Sequence, residues 1–293
     1  MTDIGEEKYN QLVLNLSSAD RCLLAYSGGV DSTLLLKAIC ESEMGKPEVG
    51  GSVRVLAVTA VSASTPPDDL DMAIRITAML GVRHEVIHTD ELNDAQYVKN
   101  TPERCFFCKS HLFTTLQEIA QKMQYTHIFD GSNADDIGDY RPGLHANAQF
   151  GVRSPLMEVG LTKDEIRLMS QKKGLPTYDR ASSPCLSSRV PYGEPITLRS
   201  LQMIQKAEAV IKGLGFAVMR VRKQQETARI ELMPHEIERA FAPEMRQYIV
   251  KTLREIGFQY VTVDLEGFSS GRLNRVLPPH RDCGVDNSSS DSQ

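Results

Sequence analysis

The sequence predicts an α/β protein: a parallel sheet with helices on both faces, followed by a smaller C-terminal α/β domain. Three observations carry this. Between roughly residues 20 and 180, short apolar runs alternate with helix-length amphipathic runs, the pattern of parallel strands joined by helical crossovers. Beyond them the order changes to helix, strand, strand, helix, strand. A chain of 293 residues also buries about three-quarters of its unfolded surface without staples.

The elements follow in order. "RCLLAY" (21–26) reads as a buried strand and "STLLLKAICESEM" (32–44) as the helix after it. "SVRVLAVTAVS" (52–62) is a second strand. In "PDDLDMAIRITAMLG" (67–81), Leu70, Ile74, Ile76 and Leu80 fall near a 3.6 period, and Pro67 with the acids after it opens a helix. "RHEVIHTD" (83–90) is a third strand, "HLFTTLQEIAQKM" (111–123) a helix and "THIFDGS" (126–132) a fourth strand. A further helix covers "LTKDEIRLMSQKKGLP" (161–176), with Thr162 and Glu165 spaced as a capping box and Gly174 and Pro176 as its stop. The first domain is expected to span 1–180.

The second domain, expected over 181–275, opens with the amphipathic helix "TLRSLQMIQKAEAVIKGLG" (197–215). Strand-like "FAVMRVR" (216–222) and "TARIEL" (227–232) follow, then the helix "PEMRQYIVKTLREIG" (243–257) and the strand "QYVTVDL" (259–265). The tail from about 276 is polar and rich in serine, and reads as disordered.

Thirty-three basic side chains stand against 38 acidic ones, a formal net charge of -5. This total does not favour a nucleic-acid partner. No run approaches 18 apolar residues, so no membrane span is expected. The polar start "MTDIGEEKYN" lacks the features of a secretory signal, which makes the cytoplasm the expected location.

Six cysteines are present, and a disulfide framework is not expected in such a chain. Cys22 and Cys40 fall in core-like runs and Cys283 in the tail. Cys105, Cys108 and Cys185 remain to be explained.

Two stretches point to anion and cation chemistry. In "AYSGGVDST" (25–33), Ser27, Gly28, Gly29, Asp31 and Ser32 lie between a strand and a helix. Glycines there let a phosphate approach backbone N–H groups, and the helix N-terminus and hydroxyls add to the attraction. This is neither a Walker A loop nor a Rossmann fingerprint; the bland reading is a glycine turn with a serine cap. In the aspartate-rich "DGSNADDIGDYRPG" (130–143), Asp135 and Asp136 suit Mg²⁺, directly or through water, and Arg141 suits a phosphate or carboxylate. Its position at a strand end favours this over a merely solvated surface.

"SGGVDS" resembles the PP-loop of the ATP pyrophosphatase superfamily, an adenine nucleotide alpha hydrolase-like fold. The stretches "GSNADD…DYRPG", "SPLMEVGLTKDEIR", "ASSPCLSSRVPYGEPIT", "VR…ARIEL" and "VDLEGFSSGRLN" resemble the LarE sulfur transferases, over about residues 20 to 275. The resemblance implies an enzyme that splits ATP into AMP and pyrophosphate to adenylate a carboxylate, then replaces oxygen by sulfur. The implied substrate is a pyridinium mononucleotide bearing two carboxylates, a precursor of the nickel-pincer nucleotide cofactor of lactate racemase. It places the pyrophosphate side of ATP at the loop, Mg²⁺ at Asp31, and the adenine along the strand end from Ala57 to Ser62, at Ala57 and Thr59. A homo-oligomer and an unidentified sulfide source are implied too.

In some LarE members the cysteine matching Cys185 is consumed as the sulfur source. This chain adds the pair Cys105 and Cys108, and the resemblance implies that all three thiolates hold a 4Fe–4S cluster with one open iron, making transfer catalytic. A redox dithiol, core residues beside Phe106 and Phe107, or a zinc site with His111 are the alternatives. Arg189 is a candidate for a substrate phosphate, and Arg222 and Glu231 match charged family positions near the reaction centre. Gln224 stands where relatives often have histidine, which puts acid–base chemistry there in doubt; Arg272 is a further candidate.

The rivals are a cluster-dependent tRNA thiolase, an amidotransferase or NAD-synthase-like ligase, and a non-enzymatic nucleotide-binding module. The first needs basic surface, and only "RVRKQQ" (220–225) and "SQKK" (170–173) offer compact basic runs. The second leaves the three cysteines without a task, and the third is expected to bind ATP without releasing pyrophosphate.

Overall fold

A computed structural model describes residues 2–45, 54–138, 142–181, 183–269 and 271–277. Cys283, most of the tail and Arg141 lie outside these described residues. The first sheet contains β1 (Cys22–Ala25), β2 (Val55–Val61), β3 (Arg83–His88) and β4 (His127–Phe129), all parallel, in the order β3-β2-β1-β4. Its helices are α1 (Thr2–Ser17), α2 (Val30–Glu41), α3 (Pro67–Leu80), α4 (Ala95–Val98), α5 (Arg104–Met123), α6 (Pro142–Gln149), α7 (Pro155–Glu158) and α8 (Lys163–Lys172).

Both faces of this sheet are covered because successive strand side chains point opposite ways. Cys22, Leu24, Val55 and Ala57 pack with Tyr9, Leu12 and Leu16 of α1 and with α2. Leu23, Leu56 and Val58 face the other way, onto Phe113, Leu116 and Ala120 of α5. Each such aliphatic side chain contributes roughly 1.5–3 kcal/mol on burial. The helix α1 was not expected from the sequence. Its apolar face is thin, Tyr9, Leu12 and Leu16 on an otherwise polar segment, and reads clearly only beside the α2 surface it covers.

The predicted strands and helices fall at the expected places, with ends shifted by a few residues. The capping box of Thr162 and Glu165 is formed. The larger difference is at α5, which begins at Arg104 without a side-chain cap. Cys105 and Cys108 stand in its opening turns, near a helix start as their place in the sequence implies.

The second sheet holds β5 (Met219–Gln224), β6 (Thr227–Leu232) and β7 (Tyr260–Val263), with β5–β6 antiparallel and β6–β7 parallel. The helices α9 (Leu198–Gly213) and α11 (Pro243–Ile256), with short α10 (Ile237–Ala240) between β6 and α11, complete it. Met203 and Ile211 of α9 and Ile249 and Leu253 of α11 close over Val221, Ile230 and Leu232. A fourth cluster joins Tyr97, Leu186, Val190, Ile196, Leu201 and Ile204, with Phe107 and Cys108 packed against it. It seats α4 and α5 against the start of the second sheet's layer. No helix among the described residues is long and apolar enough to cross a membrane.

Candidate active site

The chain runs from β1 outward through β2 to β3, then returns to place β4 on the other side of β1. The carboxyl ends of β1 and β4 thus form the switch point where open α/β sheets bind ligands. A cavity of about 300 Å³ opens there, walled by Ser27, Asp31 and Ser32 after β1 and by Asp130, Gly131 and Ser132 after β4. Gly28 has φ +70°, and a Cβ there would lie 2.9 Å from the backbone nitrogen of Ala73. A Cβ on Gly131 would come equally close to the nitrogen of Ser32. Glycine suits both positions, one in each loop, because backbone approaches backbone there. The hydroxyls of Ser27 and Ser32 are 3.1 Å apart.

On β2 it is Val58 and Ala60 that line this cavity. The side chains of Ala57 and Thr59 point away, Ala57 into the α1–α2 core and Thr59 to the carbonyl of Tyr26 (2.8 Å) and to His84 (2.8 Å). Adjacent strand positions face opposite sides, so Ala57 and Thr59 can meet an adenine at this strand end only through their backbone.

Asp31 accepts from Lys163 Nζ at 2.5 Å and faces Asn133 Nδ2 at 3.4 Å. Asp136 is buried in the same cavity and accepts from the nitrogen of Asn133. Asp135 instead accepts from the backbone nitrogen of Lys163 at 2.8 Å, holding the start of α8. Asp31 and Asp136 share the cavity, and Asp135 is not among its walls. Lys109, one residue beyond Cys108, also lines it, with its ammonium 2.9 Å from Asp130 and 3.0 Å from Asn147. Burial opposes the charge on Asp130, yet Lys109, Ser154 and Asn147 together hold its carboxyl below the usual value.

Cys108 packs against the cluster around Tyr97 and Leu186, and Cys105 and Cys185 lie within electrostatic reach of it. Cys105 is exposed as a residue, while Cys108 and Cys185 are half-buried. Burial raises the pKa of Cys108, with the charges of Glu91, Cys185 and Cys105 adding to it; the Cys108 sulfur lies 3.7 Å from Glu91 Oε1. Burial raises Cys105 as well, against the pull of Arg104 and with Cys185 raising it further. The charge of Cys185 therefore bears on both thiols of the pair. Among the described residues no group of three His, Cys, Asp or Glu side chains is arranged to hold a metal ion. His111 pairs with Asp94 at 2.8 Å.

Three arginines hold the backbone of the loop that carries Cys185. Arg189 donates through Nη1 to the carbonyls of Pro184 (2.6 Å) and Cys185 (3.2 Å), while Nε and Nη2 engage Glu208. Every nitrogen of its guanidinium is in use, and it positions the cysteine loop. Arg104, also buried, donates to Ser187 O and to Asn100 (2.5 Å). Arg222 donates to Ser188 O at 3.0 Å.

Arg222 also opens a second site. A cavity of about 400 Å³ is walled by Tyr192, Arg222, Gln224, Arg229, Asp264 and Arg272. Arg222 Nε lies 2.6 Å from Glu231, but Arg222 Nη2 and Glu231 Oε2 are buried and make no hydrogen bond among the described residues. Burial, then the charges of Arg189 and Arg222, bring neighbouring Arg220 down to about 10. Cationic surplus beside a cavity is a setting for an anionic ligand.

Lys109, Lys163, Arg104 and Glu91 were missed in the sequence. Lys109 and Arg104 flank the cysteine pair and Lys163 starts a capped helix, but a lone cation beside such features is no signal.

No protein-family model matches the chain. The chain is 44% identical over 272 residues to an uncharacterized protein of Synechocystis, covering 93% of this chain and 98% of the relative. It is 35% identical over 266 residues to pyridinium-3,5-bisthiocarboxylic acid mononucleotide synthase of Lactiplantibacillus plantarum, covering 91% of this chain and 93% of that one. Among solved structures, NMN synthetase from Francisella tularensis reaches a TM-score of 0.47 at 20% identity, over 61% of this chain and 75% of its own, too distant to carry a functional argument. On the match to the Lactiplantibacillus synthase, which spans nearly the whole of both proteins, the chain belongs to the LarE family of sulfur transferases.

Proposed function

We propose that this ATP-dependent sulfur transferase converts the carboxylates of a pyridinium-3,5-dicarboxylate mononucleotide to thiocarboxylates through acyl-adenylates. The observation that carries the reading is an adjacency: Arg222 both lines the cationic cavity and holds the backbone at Ser188, three residues from Cys185. A mononucleotide with its phosphate among Arg222, Arg229 and Arg272 would lie next to the cysteine loop. The near full-length match to a synthase of this product type supports the same substrate class.

A carboxylate is a poor electrophile because its charge repels a nucleophile and its oxygen leaves badly. Attack of a substrate carboxylate oxygen on the α-phosphorus of ATP forms the acyl-adenylate and expels pyrophosphate. Attack of a sulfur nucleophile on that carbonyl then expels AMP and leaves the thiocarboxylate. The residues of this chain that serve the first step are the loop from Ser27 to Ser32, which would receive the polyphosphate, and Lys109 and Lys163, whose charges offset it. Asp31 and Asp136, which share the nucleotide cavity, are the residues that would hold a Mg²⁺ ion, which neutralises phosphoryl charge.

The donor set that would hold a sulfur-carrying cluster is three thiols within one another's electrostatic reach, backed by Arg104, though the described residues do not gather them into a metal-binding group. A 4Fe–4S cluster on Cys105, Cys108 and Cys185 would supply the sulfide. The net charge of -5 and the mononucleotide-sized cavity favour this substrate over tRNA. The test is pyrophosphate release from MgATP. Release that rises on adding the pyridinium dicarboxylate mononucleotide is expected; release unaffected by it, or driven instead by unmodified tRNA, overturns the proposal.

A further inference from the structure

A second, smaller cavity lies on the α3 side of the nucleotide loop. It measures about 150 Å³, and its walls include Gly29, Asp31, Asp69, Lys163, Arg180 and Ser183. Its two cations are both engaged with carboxylates: Lys163 with Asp31, and Arg180 with Asp69 at 2.7 Å. Arg180 also donates to the carbonyls of Gly28 (3.1 Å) and Asp68 (3.3 Å), so it reaches across from the end of the first sheet's layer to the turn of the glycine loop itself.

We propose, resting on the reading that ATP occupies this loop, that Arg180 is the arginine that binds the leaving pyrophosphate. The cavity is small and polar, and a pyrophosphate there would meet the N–H of Gly29 and the start of α2 on one side and a guanidinium fork on the other. The fork suits two phosphate oxygens at once, which a lysine cannot match. Asp69 is the stand-in partner. Burial pushes its carboxyl up in spite of Arg180 and Ser183, and a pyrophosphate offers the guanidinium more negative charge than one carboxylate does. Release from Asp69 and from the Gly28 carbonyl lets Arg180 turn toward the cavity it already lines. The group then stabilises charge that grows on the leaving group as the α-phosphorus bond breaks, and it touches nothing on the AMP side.

The experiment compares inhibition by inorganic pyrophosphate and by AMP in the wild-type chain and in Arg180→Gln, Arg180→Lys and Asp69→Asn, in magnesium buffer. Arg180→Gln is expected to raise the pyrophosphate inhibition constant by about tenfold or more, the scale of a lost charged hydrogen bond, with AMP inhibition unchanged. Arg180→Lys restores part of the affinity. Asp69→Asn, which frees Arg180, tightens pyrophosphate binding or leaves it unchanged. If Arg180 only pins the loop, Arg180→Gln and Asp69→Asn weaken pyrophosphate and AMP together, and that result overturns the inference. Pyrophosphate binding that is indifferent to Arg180→Gln does the same. A wild-type chain that binds neither pyrophosphate nor ATP overturns the nucleotide reading itself, a different failure.

Discussion

Arg222 and Glu231 meet diagonally across the β5–β6 hairpin, Nε to Oε1 at 2.6 Å, both in the interior of the second sheet's layer. Arg229 Nη2 reaches the same carboxylate oxygen at 3.2 Å. One carboxylate thus holds two guanidinium groups beside a cavity that is lined by four arginines and by the acids Asp264 and Glu266. Removing one member of such a buried pair strands the other. Glu231→Gln is expected to lower the unfolding free energy by about 3–5 kcal/mol, measured by urea denaturation, with part of the loss recovered by saturating mononucleotide. A stability equal to wild type contradicts this role.

Asp31 lies between Lys163 and the nucleotide cavity, where its charge would place a metal ion on the polyphosphate. Asp31→Asn is expected to slow mononucleotide-dependent pyrophosphate release by about tenfold or more, while the accessible thiol count stays unchanged. Unchanged release removes Asp31 from the site.

Acid is expected to weaken the nucleotide cavity through Asp130. Its folded pKa lies below the ordinary 3.8, so its pairing with Lys109 contributes fully above that value and is lost as pH falls through the depressed one. Asp130→Asn flattens the dependence of stability on pH between about pH 5 and 2. An unaltered slope in that variant contradicts the assignment.

Anaerobic reconstitution checks the thiol set. About four irons and four acid-labile sulfides per chain are expected, and Cys105→Ala, Cys108→Ala and Cys185→Ala each lose them. Zinc in place of iron, or iron that survives the loss of Cys185, contradicts a site shared by the three thiols.

What the sequence shows of this fold and what it hides follow from the range of the interactions. The strands were legible because continuous apolar runs such as Leu23–Leu24 and Val55–Val58 are buried on both faces. The α8 start was legible because Thr162 and Glu165 cap locally. The side-chain direction along β2 was not: Ala57 to Ala60 are all small or apolar, and only the sheet shows that Val58 and Ala60 turn to the cavity. The pairs around the nucleotide loop were hidden for another reason. Lys163 meets Asp31 across 132 residues and Arg180 meets Gly28 across 152, and no local pattern encodes such encounters. The partner of Arg189 near Cys185 is equally hidden, since Glu208 lies nineteen residues on in α9.

The central claim is that sulfur passes from the three-cysteine site to an activated carboxylate, turnover after turnover. The most direct measurement is thiocarboxylate product per chain, by mass spectrometry, after mixing anaerobically reconstituted protein with MgATP, sulfide and the pyridinium dicarboxylate mononucleotide. The expected result is more than one product per chain, with Cys185 intact in the recovered protein. At most one product per chain, matched by conversion of Cys185 to dehydroalanine, would contradict it.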